Sequence, residues 1–303
     1  METLVTDRCP TCGSTDTVHG DCLVCNSPLA ARQAVMTSGT SRRVVPNALS
    51  VERTVESVVD ALNERFSSKT VQRHLSELPP SYLMRTPAAV IGDHIALIER
   101  AGGGTAVEHS ARGGVDRLTV ATSDRPGILS VLAGALAAHG VNITGAAAHT
   151  KSSGTAIDVL FVQFVAAAKS EGSWSELCLD VTRALSGEFD VNAAVAAAMS
   201  RFDRAPSPAD VRMPTTVYVD NEASGRFTRV EVNAADRVGL LYAISRTMAG
   251  AGLDIHLAQV ETVGTAAVDT FYVRHEDASR IEDPGEIEEL KLHVTSAIDA
   301  LDS

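Results

Sequence analysis

One short pattern occurs twice in the chain, and this repeat constrains the fold more than any other feature. Residues 122–143 read TSDRPGILSVLAGALAAHGVNI, and residues 234–256 read AADRVGLLYAISRTMAGAGLDIH. In both copies an Asp-Arg-x-Gly turn opens a stretch with apolar residues at helical spacing, which ends at Gly and continues into an extended segment. We therefore expect two copies of one small module, aligned on Asp124 and Asp236.

Each copy predicts an antiparallel sheet with helices on one face. Alternating patterns predict strands before the turn, after the turn helix and across a glycine-containing hairpin, at 117–123, 141–149 and 156–165 and again at 227–234, 253–262 and 266–274. An amphipathic helix follows each copy, lined by Leu177 and Val181 in the first and by Leu290 and Val294 in the second. Two helices on one face of an antiparallel sheet indicate an α+β, ferredoxin-like fold.

A ferredoxin-like fold ends with a strand after its second helix, and the sequence differs from that order. After Leu301 only two residues remain, which leaves no room for a strand after the second helix. Extended stretches precede each copy instead, GTAVEHS at 104–110 and TTVYVD at 215–220. We expect each to form a hairpin with the first strand of its module, so that both modules are circularly permuted. The alternative is that the first module takes residues 215–220 as its own last strand.

Four of the five cysteines form two Cys-x-x-Cys pairs near the amino terminus: Cys9, Cys12, Cys22 and Cys25. Four thiolates at this spacing complete a tetrahedral shell around Zn²⁺, which predicts a small zinc ribbon with a structural metal. Two disulfides or a redox dithiol are the alternatives. Because a segment this short cannot bury a core, the metal would fold it.

The remaining segments complete the expected organisation. Apolar residues from Val51 to Phe66 recur at helical spacing behind Ser50, the expected N-cap, and predict a helical middle segment. The expected divisions are a zinc ribbon at 1–29, a linker at 30–48, helices at 49–102, module 1 at 103–188, a helix and linker at 189–213 and module 2 at 214–303.

Composition narrows the classes of partner. The formal net charge of the 303 residues is −12, which disfavours nucleic acid and anionic membrane surfaces. No apolar run approaches the roughly 20 residues of a membrane helix, and no secretory signal pattern opens the sequence. We expect a cytoplasmic protein.

Two stretches carry a family resemblance. VYVDNEASGRFTRVEVNAADRVGLLYAISRTMAGAGLDIHLAQVETVGTAAVDTFYV resembles the second ACT domain of the bacterial bifunctional uridylyltransferase/uridylyl-removing enzymes that modify the PII nitrogen-signalling protein. LPPSYLMRTPAAVIGDHIALI is similar to the helical segment before the ACT pair in that family. The resemblance covers about Leu75 to the end, and it implies two small modules that bind amino acids and regulate enzymes.

The catalytic motifs of that family do not occur in this chain. It contains no Asp-x-Asp pair to hold Mg²⁺ for nucleotidyl transfer and no His-Asp dipeptide of a phosphohydrolase. We therefore expect a non-catalytic regulator. The alternatives are an enzyme of the uridylyltransferase family, or a truncated subunit of one, and a zinc-ribbon regulator associated with nucleic acid.

The repeated turn can bind both ends of an amino acid. Unpaired N–H groups and the dipole at a helix N-terminus attract a carboxylate, glycine allows close approach, and an Asp can receive an ammonium group. The candidate residues are Asp124, Arg125, Gly127 and Ile128 in module 1 and Asp236, Arg237, Gly239 and Leu240 in module 2. The alternative is that each Asp only caps its helix.

The resemblance adds residues at the start of the second strand of each module, because ACT ligands commonly lie between paired modules. These are Asn142 and Ile143 in module 1 and Asp254 and His256 in module 2. The expected ligand is a free amino acid, with glutamine favoured, and the expected protein partner is a PII-type protein or a metabolic enzyme. The modules pair either within one chain or between two chains.

Overall fold

The computed structural model describes residues 17–18, 21–22, 48–78, 82–83, 86–165, 173–202, 213–222 and 224–302. Its strands are β1 Thr17–Val18, β2 Asp21–Cys22, β3 Ala106–Arg112, β4 Val115–Ser123, β5 Val141–Thr150, β6 Thr155–Phe164, β7 Thr216–Asp220, β8 Thr228–Ala235, β9 Leu253–Val263 and β10 Ala266–His275. Its helices are α1 Ala48–Leu62, α2 Ser68–Ser76, α3 Ala88–Ala101, α4 Ile128–Ala138, α5 Ser173–Ser186, α6 Val191–Phe202, α7 Leu240–Gly250 and α8 Pro284–Asp299, followed by a 3₁₀ turn at Ala300–Asp302.

Eight strands form one antiparallel sheet in the order β3-β4-β6-β5-β9-β10-β8-β7. The order within module 1 is repeated in reverse in module 2, so the two halves are related by an approximate twofold axis between β5 and β9. Those two strands pair at Gly145 with Glu261 and at Ala146 with Val260. The modules therefore lie side by side within one chain.

The expected α+β class with an antiparallel sheet is confirmed. Both leading strands form hairpins with the first strand of their own module, β3 with β4 and β7 with β8. Residues 216–220 therefore pair inside module 2. That each module is a circular permutant of a ferredoxin-like unit stays a prediction. The first helix begins at Ala48, so the expectation that Ser50 is its N-cap is wrong.

The main core lies between one face of the sheet and helices α4 to α8. Alternate strand residues point into it, among them Leu118, Leu160, Val230 and Phe271. The two turn helices, α4 and α7, pack against each other across the module boundary. The repeated pattern thus places its apolar helix faces against the sheet and against the other copy.

Helices α1 to α3 cover the other face of the module 1 sheet. Ile157 of β6 packs there with apolar residues of these helices. Next to it, the Tyr82 hydroxyl lies 3.1 Å from His74 Nε2 and 2.9 Å from His94 Nδ1. Burial lowers the pKa of His74 to about 4 and that of His94 to about 3, so both are neutral at pH 7. His94 is therefore part of a buried hydrogen-bonded layer.

Most of the amino-terminal predictions lie outside the described residues. Cys9, Cys12 and Cys25 are among these, together with most of the expected ribbon and linker. Cys22 ends β2, and Thr17 pairs with Cys22 in the short hairpin between the two cysteine pairs. Within the described part of the chain, no helix combines the length and apolar character needed to cross a bilayer.

Gly134 allows the close approach of helices from both modules. A Cβ at this position of α4 would overlap Val191 of α6 and would lie 2.7 Å from the ring of Tyr242 of α7. The Tyr242 hydroxyl also donates to Asn192 Oδ1 at 2.5 Å. These contacts leave no space for a methyl group.

We expect Gly134→Ala to lower the free energy of unfolding by about 1–3 kcal/mol because of overpacking in this helix contact. Thermal or urea unfolding measures the change. The control is Gly250→Ala at the end of α7, where an added Cβ meets nothing within 4 Å and the backbone φ is not positive. That variant should be neutral or slightly stabilising, and equal destabilisation by both variants would contradict the packing argument.

Candidate functional site

The Asp-Arg-x-Gly turns connect the first sheet strand of each module to its turn helix. In module 2 the N-cap of α7 is Gly239, with φ 86°, a left-handed conformation that glycine adopts without strain. Gly127 has the same role before α4, with φ 81°. Each Asp therefore lies three residues before the N-cap, and neither is the N-cap residue itself.

A small pocket lies between the modules at the second of these turns. Asn142 of β5 donates from Nδ2 to Asp236 Oδ2 at 2.9 Å and so connects the start of a module 1 strand to the module 2 turn. Ile143, Arg237, Gly239 and Leu240 line the same pocket. Its apolar walls come from both modules: Ala133, Val141, Leu241, Val260 and Ala267.

A third polar side chain, that of Asp269 on β10, lines the pocket. It is 1% exposed, and its Oδ1 atom has no hydrogen-bond partner among the described residues. Burial, followed by the nearby charge of Asp236, raises the pKa of Asp269 to about 8. Burial also raises the pKa of Asp236, against the effect of the Asn142 hydrogen bond. The pocket thus contains two carboxyl groups that favour their protonated forms more than usual.

The pocket is nearly closed in this structure. Its cavity volume of about 10 Å³ holds about one water molecule. The Asn142–Asp236 hydrogen bond spans it from one module to the other. A ligand larger than water therefore needs a local rearrangement of the lining residues.

The pocket lining combines positive and acidic groups. The first residues of α7, Leu240 and Leu241, belong to it, and the N-terminal end of a helix dipole carries partial positive charge. Arg237 adds a full positive charge to the lining. Asp236 and Asp269 supply carboxyl groups. Groups of opposite charge, such as the carboxylate and ammonium of a free amino acid, both find complementary partners in this arrangement.

The equivalent position in module 1 has a different set of groups. By the repeat, Asp254 of β9 corresponds to Asn142 and lies near Asp124, and burial followed by Asp124 raises the pKa of Asp254. Asp158 of β6 corresponds to Asp269 and is also buried, with a pKa raised to about 7 by burial and then by Asp124. One half of the molecule thus places an amide opposite the turn Asp, and the other half places a carboxyl there.

Other candidate residues of this second position have structural partners. The guanidinium of Arg125 donates to the carbonyl oxygen of Leu185 at 2.6 Å. The imidazole of His256 stacks on Phe227 with ring centroids 4.5 Å apart. Ile128 is buried in the main core. The structure therefore brings six of the twelve predicted ligand residues into one pocket: Asn142, Ile143, Asp236, Arg237, Gly239 and Leu240.

Asp269 and Asp158 were not among the predicted site residues. A signal was available, because Asp269 shares a strand face with Ala267, Phe271 and Val273, all of which are buried. An acidic residue on an otherwise apolar strand face needs a partner or a neutral carboxyl. As for metals, no group of three or more His, Cys, Asp or Glu side chains in the described ranges is arranged to hold an ion.

Comparison with curated proteins finds similarity to bifunctional uridylyltransferase/uridylyl-removing enzymes. The chain is 34% identical over 231 residues to the bifunctional uridylyltransferase/uridylyl-removing enzyme of Gluconobacter oxydans, which covers 75% of this chain and 22% of that protein. It is 32% identical over 234 residues to the protein of the same name from Rhodospirillum rubrum. That alignment covers 75% of this chain and 25% of the relative. The chain spans about a quarter of the length of these curated relatives.

Other comparisons add little. No family model matches the chain. Among solved structures, aspartate kinase from Synechocystis aligns with 60% of this chain and 27% of its own, with 16% identity and a TM-score of 0.28. The expected resemblance to uridylyltransferase/uridylyl-removing enzymes is thus confirmed by sequence, over about three quarters of the chain.

The raised pKa of Asp269 predicts a pH-dependent cost of folding. Between about pH 4 and pH 8 the folded protein keeps this proton and the unfolded chain loses it, so the free energy of unfolding falls as pH rises through this window. We expect Asp269→Asn to remove that cost and to stabilise the protein at pH 7 by about 1–4 kcal/mol relative to its effect at pH 4. Urea unfolding at several pH values measures this difference.

Two variants serve as comparisons. Asp158→Asn should also remove a pH-dependent cost of folding. For Asp158, the pH range over which the free energy of unfolding falls ends near pH 7. Glu288→Gln removes an exposed carboxylate of α8 and serves as the surface control. A pH-independent difference between Asp269→Asn and wild type would show that Asp269 is already ionised in the folded protein.

Proposed function

We propose that the chain is a non-catalytic regulatory protein that binds a free amino acid in the pocket between its two modules. The observation that carries the proposal is the convergence on one pocket of Asp236, Asn142, Asp269 and the N-terminus of α7. The similarity to uridylyltransferase/uridylyl-removing enzymes, together with the resemblance of the repeat to ACT domains, supports a regulatory role.

In this proposal the two ends of the amino acid bind on different sides of the pocket. The ligand carboxylate binds at the N-terminus of α7, near Gly239 and Leu240, where Gly239 leaves the backbone accessible. The ligand ammonium binds at Asp236. Charge-assisted hydrogen bonds of this kind are stronger than neutral ones, and the buried setting increases their strength.

Regulation follows from the closed pocket. An amino acid is much larger than one water molecule, so it binds an arrangement in which β5 and the module 2 turn have moved apart. A ligand that binds this arrangement better than the closed one shifts the population towards it. The change would alter the module boundary and any partner surface that includes it.

The ligand and the partner follow from the resemblance. Glutamine is the favoured amino acid, and a PII-type protein or a metabolic enzyme is the favoured partner. The second position, at Asp124, Gly127, Asp254 and His256, is a further candidate for ligand binding, although Arg125 is already bonded to Leu185. Because Asp254 stands there in place of the amide of Asn142, we expect this position to prefer different ligands from the Asp236 pocket.

We also propose a structural Zn²⁺ bound by Cys9, Cys12, Cys22 and Cys25. The support is the spacing of the two Cys-x-x-Cys pairs and the short hairpin that β1 and β2 form between them. Four thiolates leave no open position on the metal, so its role would be to fold this segment.

Calorimetric titration with the common amino acids tests the ligand proposal. We expect binding at millimolar concentrations or below, most tightly for L-glutamine. Asp236→Asn should weaken it about 10- to 100-fold, because a charge-assisted hydrogen bond to the ammonium is lost. The matched variant Asp124→Asn should keep the affinity of the Asp236 pocket.

Two results would contradict the proposal. If no amino acid binds at millimolar concentrations, the chain is not an amino-acid sensor. If the purified chain transfers uridylyl groups to a PII protein in the presence of Mg²⁺-UTP, it is an enzyme and the non-catalytic assignment is wrong.

Metal analysis of the reduced, purified protein tests the zinc proposal. We expect one equivalent of zinc per chain, lost on replacement of Cys9 and Cys12 by Ser and retained in Cys178→Ser, which changes the fifth cysteine on α5. Reduced protein without stoichiometric zinc would rule out the structural metal.

A further inference from the structure

We infer that the pocket holds the ligand's ammonium group between the carboxyl groups of Asp236 and Asp269, and that binding releases a proton from Asp269 to the solvent. This inference rests on the proposed function and adds the residue and the proton transfer that determine which ligands are accepted. It assigns to the buried carboxyl of Asp269 a role in recognition.

The geometry of the closed pocket supports this position for the ammonium. Asp236 Oδ2 accepts a hydrogen bond from the Asn142 amide, a neutral N–H donor that belongs to the other module. Asp269 lines the same pocket, and its buried Oδ1 atom has no hydrogen-bond partner among the described residues. An ammonium group has three N–H donors. It can therefore replace the Asn142 amide on Asp236 and also satisfy the unpaired oxygen of Asp269.

The charge balance explains the proton release. Besides burial, the charges of Asp236 on the turn after β8 and of Glu261 on β9 raise the pKa of Asp269, whereas a backbone hydrogen bond from Glu261 lowers it. Arg237 lies beside Asp236 and lines the pocket. Without a ligand, Asp269 is mostly protonated at pH 7, since its pKa is raised to about 8. A bound ammonium stabilises the carboxylate, so Asp269 ionises and its proton passes to the buffer while the ligand remains an ammonium ion.

The inference also explains why the pocket would reject ligands without an amino group. Such a ligand leaves Asp269 protonated and provides no cation for Asp236. A buried carboxyl that lacks its partner costs free energy, so discrimination against the deaminated analogue is expected to be strong. The carboxylate end of the ligand would still find the N-terminus of α7.

The test is calorimetric titration of L-glutamine into the full chain at pH 7 in two buffers with different ionisation enthalpies. The difference in observed enthalpy measures the number of protons released. We expect about one proton per bound ligand, and an affinity that rises about tenfold per pH unit up to about pH 8. Glutaramate, which is L-glutamine without its α-amino group, should bind weakly and release no proton.

Two variants locate the proton. Asp269→Asn should release none and bind L-glutamine about tenfold more weakly at pH 8, because the carboxylate is lost. Glu288→Gln removes an exposed carboxylate of α8, away from both candidate positions, and should leave both the proton release and the affinity unchanged. Circular dichroism and the thermal midpoint show whether both variants are folded.

Each outcome decides the inference. Proton release that disappears only in Asp269→Asn supports it. Binding of L-glutamine without proton release, or release that persists in Asp269→Asn, overturns it and leaves the proposed amino-acid sensor in place. Absence of L-glutamine binding overturns it as well. If no amino acid binds, the proposed function fails with it.

Discussion

The pairing of β5 with β9 is the interaction on which the rest of the structure depends. Two backbone pairs, Gly145 with Glu261 and Ala146 with Val260, join two four-stranded sheets into one. This pairing places the start of β5 beside the module 2 turn, where Asn142 reaches Asp236. It also brings α4 and α7 together on one side of the sheet, with Gly134 in their contact. Without it, neither module alone would contain the pocket.

The approximate symmetry of the sheet does not extend to the chemistry of its two candidate positions. Asn142 faces one turn Asp, and Asp254 lies near the other. An amide satisfies a carboxylate by donating a hydrogen bond, whereas burial and then the neighbouring Asp124 raise the pKa of Asp254. The copies therefore share an architecture and differ in the charge they present, so a common fold does not imply a common ligand.

Much of the fold could be predicted because it depends on local patterns. The spacing of apolar residues after Gly127 and Gly239 indicates two helices, and alternation along residues 266–274 indicates a strand. The leading strands were predicted from the extended stretches that precede each copy, at 104–110 and 215–220. The site was predicted less fully. Asp236 and Asn142 were candidates separately, but their hydrogen bond was not, because they are far apart in sequence. Asp269 was missed, since the depth of its burial depends on the helices packed above its strand.

The sequence by itself determined the two modules, their element order, their helix-starting glycines and the acidic residue at each turn, because these depend on neighbours a few positions away. Only the tertiary structure decided that the modules join within one chain and that the Asp236 turn lines a pocket between them. It also decided that a buried carboxyl lies in that pocket. The physical reason is that strand pairing and burial are set by contacts between distant segments, and these contacts determine the local charge environment of each residue.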